Sequence, residues 1–326
     1  MAKFKKVYSF SKVPIKDGTI LEKSTNIKSC YKGFSERQLF KNKIIDNYLG
    51  KNSGLFITLP KGQKILNAII NILKDEVAKK QEFEEYSFPK LIDSRICNQA
   101  KIMGKWDDYL LAVKSYGKTN GINQMMLLDP LQCTPFYSYL ENKKFTDKDL
   151  PLKAFDVSGP TYRNEDKAEL NPMVKQLEFR RMEFVYFGFE NDVIKLRENI
   201  LRRIEFISSK LSMPFRRVIG TGCYEVTSSL IRYPDKMETI PIIDLEMKLT
   251  KSVYRRKEKI SFLEVAGASV LRDQQTSRFK ITNHTKSIWS GCVGIGLNRL
   301  MYAFLSNNGF NEKKWPKLMR QYIKKQ

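Results

Sequence analysis

Residues 154–157, 183–187, 240–249 and 262–270 are rich in β-branched and aromatic side chains, and only one strongly helical segment stands among them. In that segment Val193, Leu196, Ile200, Ile204 and Ile207 recur at helical spacing behind Asp192, a good N-cap. A doubly wound parallel sheet needs a crossover helix between successive strands, and this pattern does not supply one. The expected fold class is therefore α+β, a largely antiparallel sheet flanked by helices. A long helix is expected earlier, where Ile65, Ile69, Ile72 and Val77 recur after Leu59-Pro60, followed by a strand over 86–92. The last long helix is expected to begin near Cys292 and to stop at Asn307-Asn308-Gly309, and a basic segment, 313–326, closes the sequence. No internal repeat is visible.

The chain can build a sizeable core, since 42% of its 326 residues are hydrophobic and 12% aromatic. Its 58 Lys+Arg against 35 Asp+Glu give +23, a field that attracts nucleic acid, an acidic protein or a nucleotide. Residues 1–54 alone carry 12 Lys+Arg and 4 Asp+Glu, and read as a basic N-terminal extension to a folded unit over 55–326. Five widely spaced cysteines do not suit a disulfide framework. No apolar run reaches the ~18 residues of a membrane span, and the basic start has no apolar signal segment behind it. A cytoplasmic chain is expected.

His284 is the only histidine, so neither a histidine-based triad nor a His-rich metal site can be built. The segment Ser158-Gly-Pro-Thr-Tyr-Arg163-Asn-Glu165 instead places a cation and a carboxylate two residues apart, on one side of an extended chain. By the same period Phe179, Arg181 and Glu183 share a face. Paired as a hairpin, the two stretches would offer a guanidinium fork for phosphate or carboxylate and an aromatic plate for a purine. Those are the needs of an ATP site that is not a P-loop, although alternating charges also describe an ordinary solvated strand face. Gly294-Ile-Gly296-Leu-Asn-Arg299 has two glycines of a dinucleotide fingerprint but carries Arg299 in place of the third, outside any strand–helix–strand unit, so that reading is rejected.

Taken in order, these segments resemble the class II aminoacyl-tRNA synthetases. The segment 59–92 resembles their first motif, Tyr162-Arg163-Asn-Glu165 through Glu183 the second, and Gly294 to Leu300 the third. The likeness covers about residues 55–318 and is nearest to the catalytic core of the zinc-dependent seryl-tRNA synthetases of methanogens. It implies a class II catalytic domain over 55–326 and a homodimer built on the 59–92 helix and strand. It also implies a Zn²⁺ held by Cys133, Glu183 and Cys292, with one position open for the substrate amine. Cys30, Cys97 and Cys223 match nothing in the pattern. Arg163 is expected on the α-phosphate and the amino-acid carboxylate, Glu165 on the adenine amino group, and Phe179 stacked on adenine. Arg299 is expected on the other adenine face and the γ-phosphate, and Glu264 on ATP through Mg²⁺, with Asp244-Leu-Glu246 an echo of a carboxylate pair. Lys175 departs from the pattern, which has an Arg there; the charge is kept but the fork is lost.

The bacterial amino acid:carrier-protein ligases resemble the same core without a large tRNA-binding domain. The expected function is therefore ATP-dependent activation of a small amino acid as its adenylate and transfer to the phosphopantetheine thiol of an acidic carrier protein. The alternative is aminoacylation of tRNA, or a tRNA-linked biosynthetic role, with residues 1–54 as an RNA grip. A non-catalytic binding paralogue is the third reading, and a binding module has no need of so full a set of site residues.

Overall fold

The computed structural model describes residues 3–6, 17–51, 53–114, 125–222, 240–255 and 258–325. Its spine is a ten-stranded sheet. From one edge the strands run Phe4–Lys6, Ile20–Ser24, Phe215–Ile219, Ile242–Arg255, Glu258–Arg272, Trp289–Gly296, Glu178–Gly188, Leu152–Asp156 and Glu84–Tyr86, and Pro160–Tyr162 pairs beside Glu178–Arg180. Among the described residues every pairing in this sheet is antiparallel except that of Leu152–Asp156 with Glu84–Tyr86. The α+β expectation is met.

The period of two along Glu178–Gly188 divides the molecule. Met182, Phe184 and Tyr186 enter a large core that also holds the helices Pro60–Leu73, Glu190–Lys210, Leu297–Asn308 and Lys317–Lys324. Val185 and Phe187 point the other way, into a smaller cluster with Cys97, Cys133, Phe136 and Cys292. Each fully buried aliphatic or aromatic side chain in these layers contributes roughly 1.5–3 kcal/mol. The Pro60–Leu73 helix starts as its sequence dictates, with Pro60 at the first position, where its missing N–H costs nothing. It buries Ile65, Leu66, Ile69, Ile72 and Leu73, and a single π turn, Lys74–Ala78, carries it on to Val77. The helix expected from Asp192 begins two residues sooner, at Glu190, and Asp192 sits at the third position, where its carboxylate accepts from the Phe189 N–H.

Two expectations are corrected. Cys292 lies on the Trp289–Gly296 strand, and the helix opens only at Leu297, because Gly294 and Gly296 belong to the sheet. The strand expected over 86–92 is two, Glu84–Tyr86 in the main sheet and Leu91–Asp93 in a three-stranded one, separated around Pro89, which cannot donate to a ladder. Within residues 1–54, Ile20–Ser24 joins the main sheet against Phe215–Ile219, and Leu21, Phe34, Leu39, Ile44 and Ile45 are buried in the large core. This junction is also ionic: buried Arg217 pairs with Glu205 and with Glu198 at 2.7 Å, and Glu22 stands 3.9 Å away. The expectation for Cys223 falls outside the described residues.

Candidate active site

Antiparallel register assembles the site on the smaller-cluster face of the sheet. Arg181 lies opposite Gly296, Glu183 opposite Gly294 and Val185 opposite Cys292, while Gly267 and Ser269 of the next strand stand against Gly294 and Cys292. Gly294 has a steric reason to be glycine. A Cβ there would fall 1.8 Å from Nη2 of Arg181, whose guanidinium lies flat across the strand. From that position Arg181 Nε reaches Glu183 at 2.6 Å.

Cys133 arrives from the other side. Asp129 is fully buried and its Oδ1 accepts from the backbone N–H groups of Leu131 and Gln132, turning the chain so that Gln132 takes a φ of 67° and Cys133 caps the Thr134–Tyr139 helix. The thiols of Cys133 and Cys292 and a Glu183 carboxylate oxygen then lie within 4.8 Å of one another, all buried. Burial pushes Glu183 up to about 7 against the pull of Arg181. Two thiols and a carboxylate converging below a cavity are a donor set that fits zinc with a position left open. Cys97 is buried nearby and Cys30 is exposed; neither belongs to this group of three.

The hairpin expected around Arg163 is present. Thr161 stands opposite Phe179, and the Arg163 N–H donates to the Leu177 carbonyl at 2.9 Å. Arg163, Glu165, Phe179, Glu264 and Arg299 line one cavity, and Arg163, Glu165, Glu264 and Arg299 also line an adjoining one that Cys133 and Cys292 face. The Arg163 guanidinium has two aromatic rings close to it, Trp106 at 4.7 Å and Phe179 at 5.5 Å. Burial, with Arg181 and Arg299 close by, draws it down to about 10, so it stays a cation at neutral pH. Arg299, in the first turn of the Leu297–Asn308 helix, donates from Nε to the Val174 carbonyl at 2.8 Å and pairs through Nη1 with Glu264 at 3.0 Å. Asp244 lines the adjoining cavity, and burial together with Glu264 and Glu246 raises its carboxyl well above the ordinary range.

Three features are not legible in the sequence. Lys175 does not reach outward from the loop: it is buried and paired with Glu165 at 2.8 Å and with Glu169, so the residue that departs from the family pattern holds Glu165 in place. Trp106 meets Arg163 from 57 positions away in the chain, and no local pattern marks it. Arg181 is visible through its spacing to Glu183, but its seat on Gly294 is not.

The chain is similar to several known proteins. The tRNA synthetase class II core domain (G, H, P, S and T) pattern matches residues 118–308. The type-2 serine–tRNA ligase of Methanopyrus kandleri is 22% identical over 95% of this chain and 63% of its own length, and that of Methanococcus maripaludis is 26% identical over 83% and 56%. The fold superposes on M. kandleri SerRS in complex with A. aeolicus tRNASec with a TM-score of 0.81 at 20% identity, covering 96% of this chain and 64% of that one. It also superposes on the cytoplasmic serine–tRNA ligase of Naegleria fowleri in complex with AMP, with a TM-score of 0.75 at 15% identity over 97% and 67%. The chain thus spans less than two thirds of the length of the curated relatives described here. With the class II core pattern matching more than half of its residues, the chain belongs to the class II tRNA synthetase core domain family.

Proposed function

We propose that this chain activates serine with ATP as the adenylate and transfers it to tRNA. The observation that carries the reading is the convergence of Cys133, Glu183 and Cys292 beside two adjoining cavities that share Arg163 and Arg299, one of them lined by Phe179. The relatives named above are serine–tRNA ligases, which favours tRNA over a carrier-protein thiol as acceptor.

The chemistry asked of the chain is positioning and charge stabilisation. Arg163 presents its fork to the amino-acid carboxylate and the α-phosphate and stabilises the charge that develops as the carboxylate attacks in line and pyrophosphate departs. Phe179 offers its ring to adenine, Glu165 holds the adenine amino group from its seat on Lys175, and Arg299 neutralises the far phosphate. Glu264 is the carboxylate nearest to Arg299 and the one to engage Mg²⁺. Cys133, Glu183 and Cys292 would hold zinc, which when bound supplies a Lewis-acidic position that selects substrates bearing a free amine. Residues 1–54 contribute cations to the RNA grip, and two copies pair through the 59–92 region.

Amino-acid-dependent ATP/pyrophosphate exchange over all twenty amino acids, followed by transfer assays with tRNA and with a phosphopantetheinylated carrier, tests this directly. The expected result is serine-dependent exchange, serylated tRNA and one zinc per chain that Cys133→Ser removes. Thioester on the carrier without charged tRNA would transfer the assignment to the carrier-protein ligases, and absence of exchange with any amino acid would end it.

A further inference from the structure

The placement of Trp106 is fixed by hydrogen bonds on both sides of it in the chain. Next to Arg163 in the hairpin loop, the Asn164 N–H donates to the Tyr109 carbonyl at 2.9 Å, and Asn164 Nδ2 donates to the Asp108 carbonyl at 3.0 Å. Lys105 Nζ donates to the carbonyl of Gly222, another lining residue, at 2.6 Å. The 105–109 segment therefore lines the cavity beside the hairpin loop and brings the Trp106 ring to 4.7 Å from the Arg163 guanidinium, which also has the Phe179 ring at 5.5 Å. Among the described residues Arg163 has no carboxylate within ion-pair distance, and its remaining polar contact is a long one, Nε to the Pro130 carbonyl at 3.5 Å. The charge is left for a ligand, and the orientation of the fork rests on the two rings.

We infer that Trp106 is a positioning residue for Arg163, its ring together with that of Phe179 restricting the guanidinium so that its two outer nitrogens face the substrate carboxylate and α-phosphate. The inference rests on the proposed adenylate-forming reaction. A bidentate fork must be held in one plane to match a planar or tetrahedral oxyanion, and a flexible arginine loses rotamer freedom each time it does so. A tryptophan face is the strongest neutral partner for a guanidinium and removes that freedom in advance, without neutralising the charge as a carboxylate would. Lysine in place of Arg163 has no plane for the ring to fix, so the effect of Trp106 must be conditional on arginine at 163.

The test is a double-mutant cycle between Trp106→Ala and Arg163→Lys, with Trp106→Phe as the conservative variant, read by serine-dependent exchange and by calorimetric binding of ATP. In the wild-type background Trp106→Ala should lower kcat about tenfold, or ~1.4 kcal/mol, and weaken ATP binding, while Trp106→Phe recovers most of both. In the Arg163→Lys background the same change should cost less than about twofold in ATP binding. Zinc content and melting temperature of each variant are measured alongside. An equal loss in both backgrounds, a phenylalanine variant as impaired as the alanine one, or unchanged kcat and binding in Trp106→Ala would each overturn the inference. If the wild-type protein shows no exchange at all, the proposed function fails by itself; the ATP-binding cycle still decides whether Trp106 acts through Arg163.

Discussion

Gly294 shows what one absent methyl group does for the site. A Cβ at this position would overlap the Arg181 guanidinium, which is the movable end of a long side chain, so an alanine can be accommodated by turning Arg181 away. The sheet then survives while Glu183 loses the cation 2.6 Å from its carboxylate. Gly294→Ala is accordingly expected to lower exchange more than about tenfold and to shift the melting temperature by only a few degrees; full exchange activity would show that Glu183 does not depend on its pairing with Arg181. The cysteines separate in a similar way. Burial, with Asp129 and Cys133 adding to it, pushes the Cys97 thiol up to about 12. Only the thiolate is nucleophilic, so at pH 8 roughly one Cys97 in ten thousand is in reactive form, and reactivity rises only in strong alkali. Cys30 is exposed. A thiol reagent applied to the native protein at pH 8 and read by peptide mass spectrometry should label Cys30 and spare Cys97, and equal labelling would show that the packing around Cys97 is open.

At the scale of elements, the clearest test lies in the Pro60–Leu73 helix. Replacing a helical glycine with alanine ordinarily gains about 1 kcal/mol. Here a Cβ on Gly62 would stand 2.2 Å from the Ile44 carbonyl oxygen, a backbone atom that already accepts from the Leu59 N–H at 3.0 Å. Backbone cannot swing aside as a side chain can, so the clash outweighs the propensity gain. Gly62→Ala should destabilise the protein by about 1–3 kcal/mol, read as a lower urea midpoint at unchanged slope; a higher midpoint would mean that the helix start can slide. The same elements show which parts of the fold the chain announces. Phe179, Arg181 and Glu183 are legible as one face because a strand repeats every two residues, and Arg181 and Glu183 stand out against the apolar Met182 and the apolar run that follows from Phe184. The helix start is easily misplaced at Cys292 because Gly294 and Gly296 look like a helix opening when the guanidinium that needs the space is not in view. Ile20–Ser24 is hidden because its apolar signal is only Ile20-Leu21 amid lysines, and its partners, Phe215–Ile219 and Arg217, are some 195 residues away. Long-range pairing leaves no local period to read.

For the molecule as a whole, charge and architecture meet at the edge of the sheet. The strands Phe4–Lys6 and Ile20–Ser24 form that edge, with Lys5 directly opposite Lys23 and both exposed. Like charges facing each other across a ladder cost stability, a cost that a bound polyanion relieves. Lys28 continues the same basic edge, and the net charge of +23 adds a long-range field of the same sign. Deleting the first 24 residues is a poor way to examine this edge, because it would strip Leu21 from the core and leave buried Arg217 without Glu22 nearby. Charge reversal keeps the packing: Lys5→Glu, Lys23→Glu and Lys28→Glu together alter only exposed side chains. Each phosphate that is no longer neutralised reduces the log–log salt dependence of RNA affinity by roughly 0.7–0.9. The triple variant should therefore bind tRNA more weakly at low salt, with a slope shallower by about 2–3, while serine-dependent exchange, which needs no RNA, stays at the wild-type rate. An unchanged slope and unchanged tRNA charging would place the RNA elsewhere on the molecule, and a loss of exchange would mean that the edge supports the sheet rather than the acceptor.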